Sequence, residues 1–113
     1  MKLLIVEDNP SVRRIIKSFA AQYADEILEC GNGEESFLLY CDHKPDLVLM
    51  DINLGETDGL AATRKINQFD SHAKVIIVTN YDEPDLRQLA DEAGAFGFVA
   101  KENLNELVSF LKN

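Results

Sequence analysis

Four short apolar runs each hand over to a residue that can do chemistry. Leu3-Leu4-Ile5-Val6 is followed by Glu7 and Asp8, Leu47-Val48-Leu49-Met50 by Asp51, Val75-Ile76-Ile77-Val78 by Thr79, and Phe98-Val99-Ala100 by Lys101. Three carboxylates brought within a few ångströms repel one another, and at neutral pH they require a compensating cation. Oxygen donors of this kind suit Mg2+ or Mn2+, which keep several waters and take only one or two carboxylates. A backbone carbonyl in the turn after Asp51, such as that of Asn53, can complete the shell. A cation beside an ammonium and a hydroxyl is a cradle for a phosphoryl group. The metal and Lys101 offset charge on the phosphoryl oxygens, and Thr79 donates a hydrogen bond. A carboxylate can itself be the nucleophile, giving an aspartyl phosphate. Asp51, from a central strand, is best placed for that role, with Glu7 and Asp8 as the metal shell.

Taken singly, none of these residues carries the argument. An aspartate after a strand is ordinarily a turn or cap residue. Glu7 or Asp8 alone could cap a first helix, Thr79 a fourth, and Lys101 alone could be solvent-exposed. The coincidence of four strand ends carries it, and that coincidence depends on the elements between them.

The continuous apolar runs read as strands buried on both faces, as in a parallel sheet. Ile27-Leu28, flanked by Glu26 and Glu29, reads as a short edge strand. Asn9-Pro10 caps and opens a first helix, with Val12, Ile15, Ile16 and Phe19 on its apolar face. After Gly31-Asn32-Gly33, the residues Phe37, Leu38 and Cys41 mark a second, weaker helix, and Glu34-Glu35 suit its first turn. Thr57-Asp58 starts a third, with Leu60, Thr63 and Ile66 facing inward. Asp82 and Pro84 open a fourth, carrying Leu86, Leu89, Ala90 and Ala93 and stopped by Gly94. Asn103 and Glu106 form a capping box before Leu104, Leu107, Val108 and Leu111. Five strands each followed by a helix predict an α/β fold, (βα)5, with a doubly wound parallel sheet. In such a sheet ligands bind at the carboxyl ends of the strands, near the switch in strand order.

The chain has 113 residues, one domain at most, and a net charge of −9. That charge argues against binding nucleic acid or an anionic membrane surface through this domain. Cys30 and Cys41 have no metal-ligand spacing and read as reduced core or partly buried thiols. His43 and His72 read as surface residues, and Phe19 and Tyr23 as core. No run is long enough for a signal peptide or a membrane span, so the expected location is cytoplasmic.

These residues resemble the receiver domains of bacterial two-component response regulators, and the resemblance covers the whole chain. The acidic pair Glu7-Asp8, the segment Asp51-Ile52-Asn53-Leu54-Gly55-Glu56-Thr57-Asp58-Gly59, Thr79, Phe98 and Lys101 fall at that family's positions. The resemblance implies the flavodoxin-like receiver fold with strand order 2-1-3-4-5, as a single domain over 1–113 with no output domain in the chain. It implies that Asp51 takes a phosphoryl group from a sensor histidine kinase or a phosphotransfer protein. Mg2+ would be held by Glu7, Asp8, Asp51 and the Asn53 carbonyl. Thr79 and Phe98 would be the switch pair, and Lys101 would hold the phosphoryl oxygens. The face of helix 4, strand 5 and helix 5 would contact an effector domain or target protein, as in transcription regulation, and is a plausible homodimer surface. The chain would be a signalling phosphoacceptor rather than an enzyme with a separate substrate.

Four positions depart from the family's commoner residues. Gly55 stands where proline is frequent, so the loop after Asp51 is expected to be looser. Glu102 stands where a cis-proline often follows the lysine, and a trans bond is expected. Asn80 replaces a small residue, so Asn80 and Tyr81 are expected to modulate access to the site. Phe98 replaces tyrosine and has no hydroxyl to hydrogen-bond. Three rival readings compete for the same residues. An aspartate-nucleophile phosphatase usually carries a second aspartate two positions on, where this chain has Asn53. A nucleotide- or flavin-binding module would need a Gly/Ser/Thr-rich loop after strand 1, where Glu7-Asp8-Asn9-Pro10 repels phosphate. A degenerate receiver, acting only as a protein-binding surface, would not need the complete set of groups found here.

Overall fold

The computed structural model describes residues 1–54, 57–80 and 83–112. Gly55, Glu56, Tyr81 and Asp82 lie outside the described residues, so the expectations placed on Gly55, Tyr81 and Asp82 have no structural counterpart. Five parallel strands form one sheet: β1 (Lys2–Val6), β2 (Glu26–Cys30), β3 (Leu47–Met50), β4 (Val75–Thr79) and β5 (Gly97–Ala100). Their order is β2-β1-β3-β4-β5, the order expected. The helices are α1 (Pro10–Ala20), α2 (Gly33–His43), α3 (Gly59–Phe69), α4 (Pro84–Glu92) and α5 (Val108–Leu111), the last preceded by a 3-10 segment, Lys101–Leu107. No helix of the described residues is long and apolar enough to cross a membrane.

Strand periodicity divides the core into two layers. Leu4, Val6, Val48, Met50, Val75 and Ile77 point to one face, where Tyr40 of α2, Leu60 and Ile66 of α3 and Ala90 of α4 pack on them. Leu3, Ile5, Leu47, Leu49, Ile76, Val78 and Val99 point to the other, against Ile16 and Ala20 of α1, Leu107, and Leu111 of α5. Both faces are covered, which is why the strands read as unbroken apolar runs. β2 is the edge beside β1, as its flanking acids suggest.

Local signals set the helix starts. The Asn9 side chain accepts from the amides of Ser11 and Val12, with Pro10 at the first helical position. Asn32 caps α2 through the Glu35 amide, and Asp58 caps α3 through the Leu60 amide. Pro84 opens α4, and Gly94, with φ of +93°, comes after its end in the left-handed region that glycine enters without steric cost. No cis peptide is present among the described residues, so Lys101-Glu102 is trans as expected.

Three helix faces differ from their sequence patterns. Ile15 is 59% exposed, because the inner stripe of α1 runs through Val12, Ile16, Phe19 and Ala20 and leaves Ile15 at its rim. Leu38 is 63% exposed. The buried face of α2 is Gly33, Ser36 and Tyr40, and Leu38 lies two residues from each of the last two, on the opposite side. Leu89 of α4 is also exposed, while Ala90 carries the contact. The fifth helix is divided: Asn103 has φ −123° and ψ 47°, a non-helical backbone that kinks the chain and separates the first turn from the remainder, and the cap bond expected of its side chain is not among those observed. A two-residue antiparallel pairing, Asn53–Leu54 with Thr57–Asp58, has no signal in the sequence pattern. Both cysteines are free thiols, Cys30 buried and Cys41 half-buried. Burial pushes the Cys30 thiol up to about 11.

One side-chain contact joins α2 to the end of α3. The Tyr40 hydroxyl donates to Asp70 Oδ2 at 2.8 Å, beside edge-to-face packing of Tyr40 and Phe37 on Phe69. Burial, then the Asp70 carboxylate, pushes the Tyr40 phenol up, and the Tyr40 hydroxyl holds Asp70 below its usual range. A depressed carboxylate stabilises the fold above its unfolded pKa and loses that contribution as pH falls through the folded value. A raised phenol stabilises below its unfolded pKa and loses that contribution as pH rises past it. Tyr40→Phe is therefore expected to lower the melting midpoint by a few degrees between about pH 4 and pH 10, the ordinary Asp and Tyr values. The deficit should shrink at either extreme. A deficit independent of pH from about 2 to 8 would show that the Asp70 bond contributes nothing.

Candidate functional site

The strand order reverses at β1, which has β2 on one side and β3 on the other, so a crevice opens at the carboxyl ends of β1 and β3. Glu7 and Asp8 come after β1, and Asp51 after β3. Glu7 is 1% exposed and Asp51 5%, while Asp8 is open to solvent. Their carboxylate oxygens lie within 4.8 Å of one another. Lys101, at the end of β5, reaches over β4 to place Nζ 2.7 Å from Glu7 Oε1 and 3.3 Å from Asp51 Oδ2. The structure thus brings together four of the residues singled out by the sequence.

The electrostatics derive from burial. Burial pushes the Glu7 carboxyl up, opposed by the Lys101 ammonium and the Asn9 amide. Burial works to lower Lys101, but the Glu7 and Asp51 carboxylates outweigh it and raise the ammonium above its ordinary value. One ammonium faces three carboxylates, which leaves a net negative crevice. Glu7 Oε1 is fully buried and is met by the Lys101 ammonium at 2.7 Å. Three carboxylates that each turn an oxygen to one point, two of them buried and sharing a single ammonium, form an all-oxygen donor set that fits a hard divalent cation such as Mg2+ or Mn2+.

The remaining candidates line the same end of the sheet. Thr79 is buried at the end of β4, beside β3, and Asn80 beyond it is exposed. Phe98 pairs with Ile77 on β4, one pleat behind the Thr79–Ala100 pair and on the same sheet face. Its ring lies under the Arg87 guanidinium of α4, 4.5 Å from carbon to centroid. Asn53 donates its amide to Asp51 Oδ1 at 3.3 Å, so the loop after β3 touches the carboxylate directly.

Three residues of structural importance to the site have no assigned role in the sequence pattern. Gly59 passes so close to Asp51 that a Cβ there would lie 1.9 Å from the Asp51 carbonyl oxygen. Arg13 donates from Nη1 to the Glu7 carbonyl at 2.9 Å, and Glu29 flanks that guanidinium. The position of Gly59 directly after the Asp58 cap was the available signal. Nothing in the pair Arg13-Arg14 says which arginine turns toward the strand ends.

Fold and crevice together define a doubly wound α/β protein with an acidic, lysine-bridged site at its topological switch point. The chain belongs to the response regulator receiver domain family, whose model matches residues 3–112. It is similar to the chemotaxis protein CheY of Bacillus subtilis, 35% identical over 101 residues, or 88% of this chain and 84% of that protein. It is also similar to the regulatory protein AtoC of Escherichia coli, 36% identical over 107 residues, 94% of this chain but only 23% of the longer protein. Among solved structures, the BeF3-activated N-terminal receiver domain of Klebsiella pneumoniae RstA superposes with a TM-score of 0.89 at 26% identity, covering 99% of this chain and 96% of that one. The chain is thus a receiver domain of the kind used in two-component signalling.

Proposed function

We propose that Asp51 accepts a phosphoryl group from a phosphohistidine on a sensor histidine kinase or phosphotransfer protein. The observation that carries this reading is the convergence of Glu7, Asp8 and Asp51 on one cluster with Lys101 ion-paired into it. A carboxylate oxygen of Asp51 attacks phosphorus, the P–N bond of the donor breaks, and its electron pair stays on the imidazole, which takes up a proton. In the return step a water oxygen attacks phosphorus, the acyl phosphate P–O bond breaks, and inorganic phosphate and the Asp51 carboxylate are released. Mg2+ or Mn2+, held by Glu7, Asp8, Asp51 and the Asn53 carbonyl, would supply charge neutralisation at the phosphoryl oxygens. Lys101 is already poised beside Asp51 and exchanges its carboxylate contact for a phosphoryl oxygen. Thr79 ends the adjacent strand, from which its hydroxyl can donate to the same group.

Phosphorylation then biases a two-state equilibrium through contacts that exist only when the group is present. Thr79 and Phe98 share a sheet face on β4 and β5, so a shift of Thr79 toward the phosphoryl group frees space behind it for the Phe98 ring. The ring also touches Arg87, which links that movement to α4. The surface of α4, β5 and α5 is where an effector domain or target protein would read the change, and a second copy of the chain is one such partner.

Incubation with Mg2+ and acetyl phosphate is expected to add the mass of one phosphoryl group, removable by hydroxylamine. Beryllofluoride is expected to shift amide resonances of residues after β1, β3, β4 and β5. Chelation of the cation should abolish both responses. An unmodified mass together with unchanged resonances would overturn the reading.

A further inference from the structure

Glu7 is gripped from four directions. Its amide donates to the Cys30 carbonyl at 3.0 Å, and Oε2 accepts from the Asn9 amide at 3.1 Å. Oε1 faces Lys101 at 2.7 Å, and the backbone carbonyl accepts from Arg13 Nη1 at 2.9 Å. The first contact belongs to the β1–β2 ladder, the second to the turn itself, and the third joins groups of the site. Of the four, only the Arg13 contact ties the departing loop to the side of a helix. The Arg13 guanidinium is itself aligned: Nε faces Glu29 Oε1 at 3.5 Å. Glu29 is in turn held by Lys17 Nζ at 2.8 Å.

We infer that Arg13, aligned by Glu29, is a positioning residue that fixes the Glu7-Asp8 loop for the cation and the phosphoryl group. The inference rests on the phosphoacceptor reading given above. Its physical basis is the repulsion in the crevice. Glu7 and Asp8 push the loop after β1 away from Asp51, the single Lys101 ammonium between Glu7 and Asp51 offsets only part of that repulsion, and among the described residues β1 has no further ladder bond beyond Glu7 with which to resist the remainder. A hydrogen bond to the Glu7 carbonyl opposes that movement at the residue where it begins. The planar guanidinium can address the carbonyl through Nη1 and Glu29 through Nε at once, a geometry that an ammonium does not reproduce.

Two effects of opposite sign can be separated. As a bare charge, Arg13 repels a divalent cation, so its removal would tighten binding. As a positioning group it favours binding, so its removal weakens it. Residues that orient metal ligands typically contribute about 10- to 100-fold in affinity. Arg14, exposed and next in sequence on α1, carries the same charge without the contact to Glu7 and serves as the charge control.

The test is a Mg2+ titration of the full chain, monitored by amide shifts and by thermal unfolding with and without the cation. Arg13→Gln and Arg13→Lys are both expected to weaken Mg2+ binding by about tenfold or more, and Glu29→Gln by less. Arg14→Gln should change it by no more than about twofold, as screening of an exposed charge allows. In metal-free protein the Glu7 carbonyl carbon resonance should move in both Arg13 variants and stay in place in Arg14→Gln. A purely structural role would instead lower the metal-free midpoint and leave the affinity of the folded protein unchanged. That result, or Mg2+ binding in Arg13→Gln as tight as in wild type, overturns the inference. If Arg13→Gln does not fold, Arg13→Lys and Glu29→Gln decide the matter. A wild-type chain with no Mg2+ response would instead overturn the phosphoacceptor reading and this inference with it.

Discussion

Asp51→Asn is expected to reduce the acetyl phosphate adduct to background while leaving the metal-free fold as stable as wild type or more so. An amide offers no anionic oxygen to attack phosphorus, and Glu7, the other buried carboxylate, is committed to Lys101 and the Asn9 amide. Removing one of three clustered charges relieves repulsion, and Lys101 keeps its shorter contact, to Glu7 rather than Asp51. The cation response should fall as well. A ligand that binds only the folded state stabilises it by about 2.7 kcal/mol at a hundredfold excess over its Kd. Wild type should therefore melt later in saturating Mg2+, and the variant should lose most of that shift. Mass spectrometry after acetyl phosphate treatment, with melting curves in chelator and in Mg2+, measures both effects. Adduct on Asp51→Asn would move the acceptor elsewhere. A variant that unfolds in metal-free buffer would show that Asp51 stabilises the fold rather than straining it.

Among the glycines whose surroundings are described, Gly59→Ala should be the most damaging substitution. A Cβ at Gly59 would lie 1.9 Å from the Asp51 carbonyl oxygen and 2.8 Å from both the Asp51 carbonyl carbon and the Ile52 Cα. All three are backbone atoms, so no side chain can swing aside. Gly59 is also anchored by its amide, which donates to the Ile52 carbonyl at 2.8 Å. Relief requires α3 to move away from β3, and overpacking of a close contact costs about 3 kcal/mol, with larger values when backbone must shift. Because the displaced atoms belong to Asp51 itself, the rate of adduct formation per folded molecule should fall as well. Gly31→Ala is the control: its Cβ would meet Arg13 Nη1 at 3.6 Å and nothing nearer, an ordinary contact. Urea unfolding and adduct rates for both variants check this. Equal stabilities would mean that the chain near Asp51 yields more easily than its packing suggests.

The two variants also mark the boundary between what could be read along the chain and what could not. Strand positions were legible because the sheet is buried on both faces, which forces apolar residues into consecutive positions. Helix starts were legible because Asn9 and Asp58 accept from amides two or three residues on, and Pro10 and Pro84 fix φ at the first helical position. Helix faces were less so. Ile15, Leu38 and Leu89 are as apolar as their buried neighbours, and the sheet surface beneath each helix decides which side turns inward. The fifth helix read as one segment beginning after Asn103, where the backbone does kink, but apolar spacing does not distinguish the 3-10 turns up to Leu107 from the α-helix Val108–Leu111 that follows.

For the site, the sequence by itself determined which chemical groups end which strands: Glu7 and Asp8, Asp51, Thr79, and Lys101. A polar residue that comes after a buried run must emerge where the run ends, and all parallel strands emerge on the same side. Only the tertiary structure decided that Lys101 spans from β5 to both Glu7 and Asp51, that Arg13 rather than Arg14 grips the Glu7 carbonyl, and that Gly59 must be glycine. Those relations depend on strand order, helix rotation and backbone approach. They join residues many positions apart, and no local spacing encodes them.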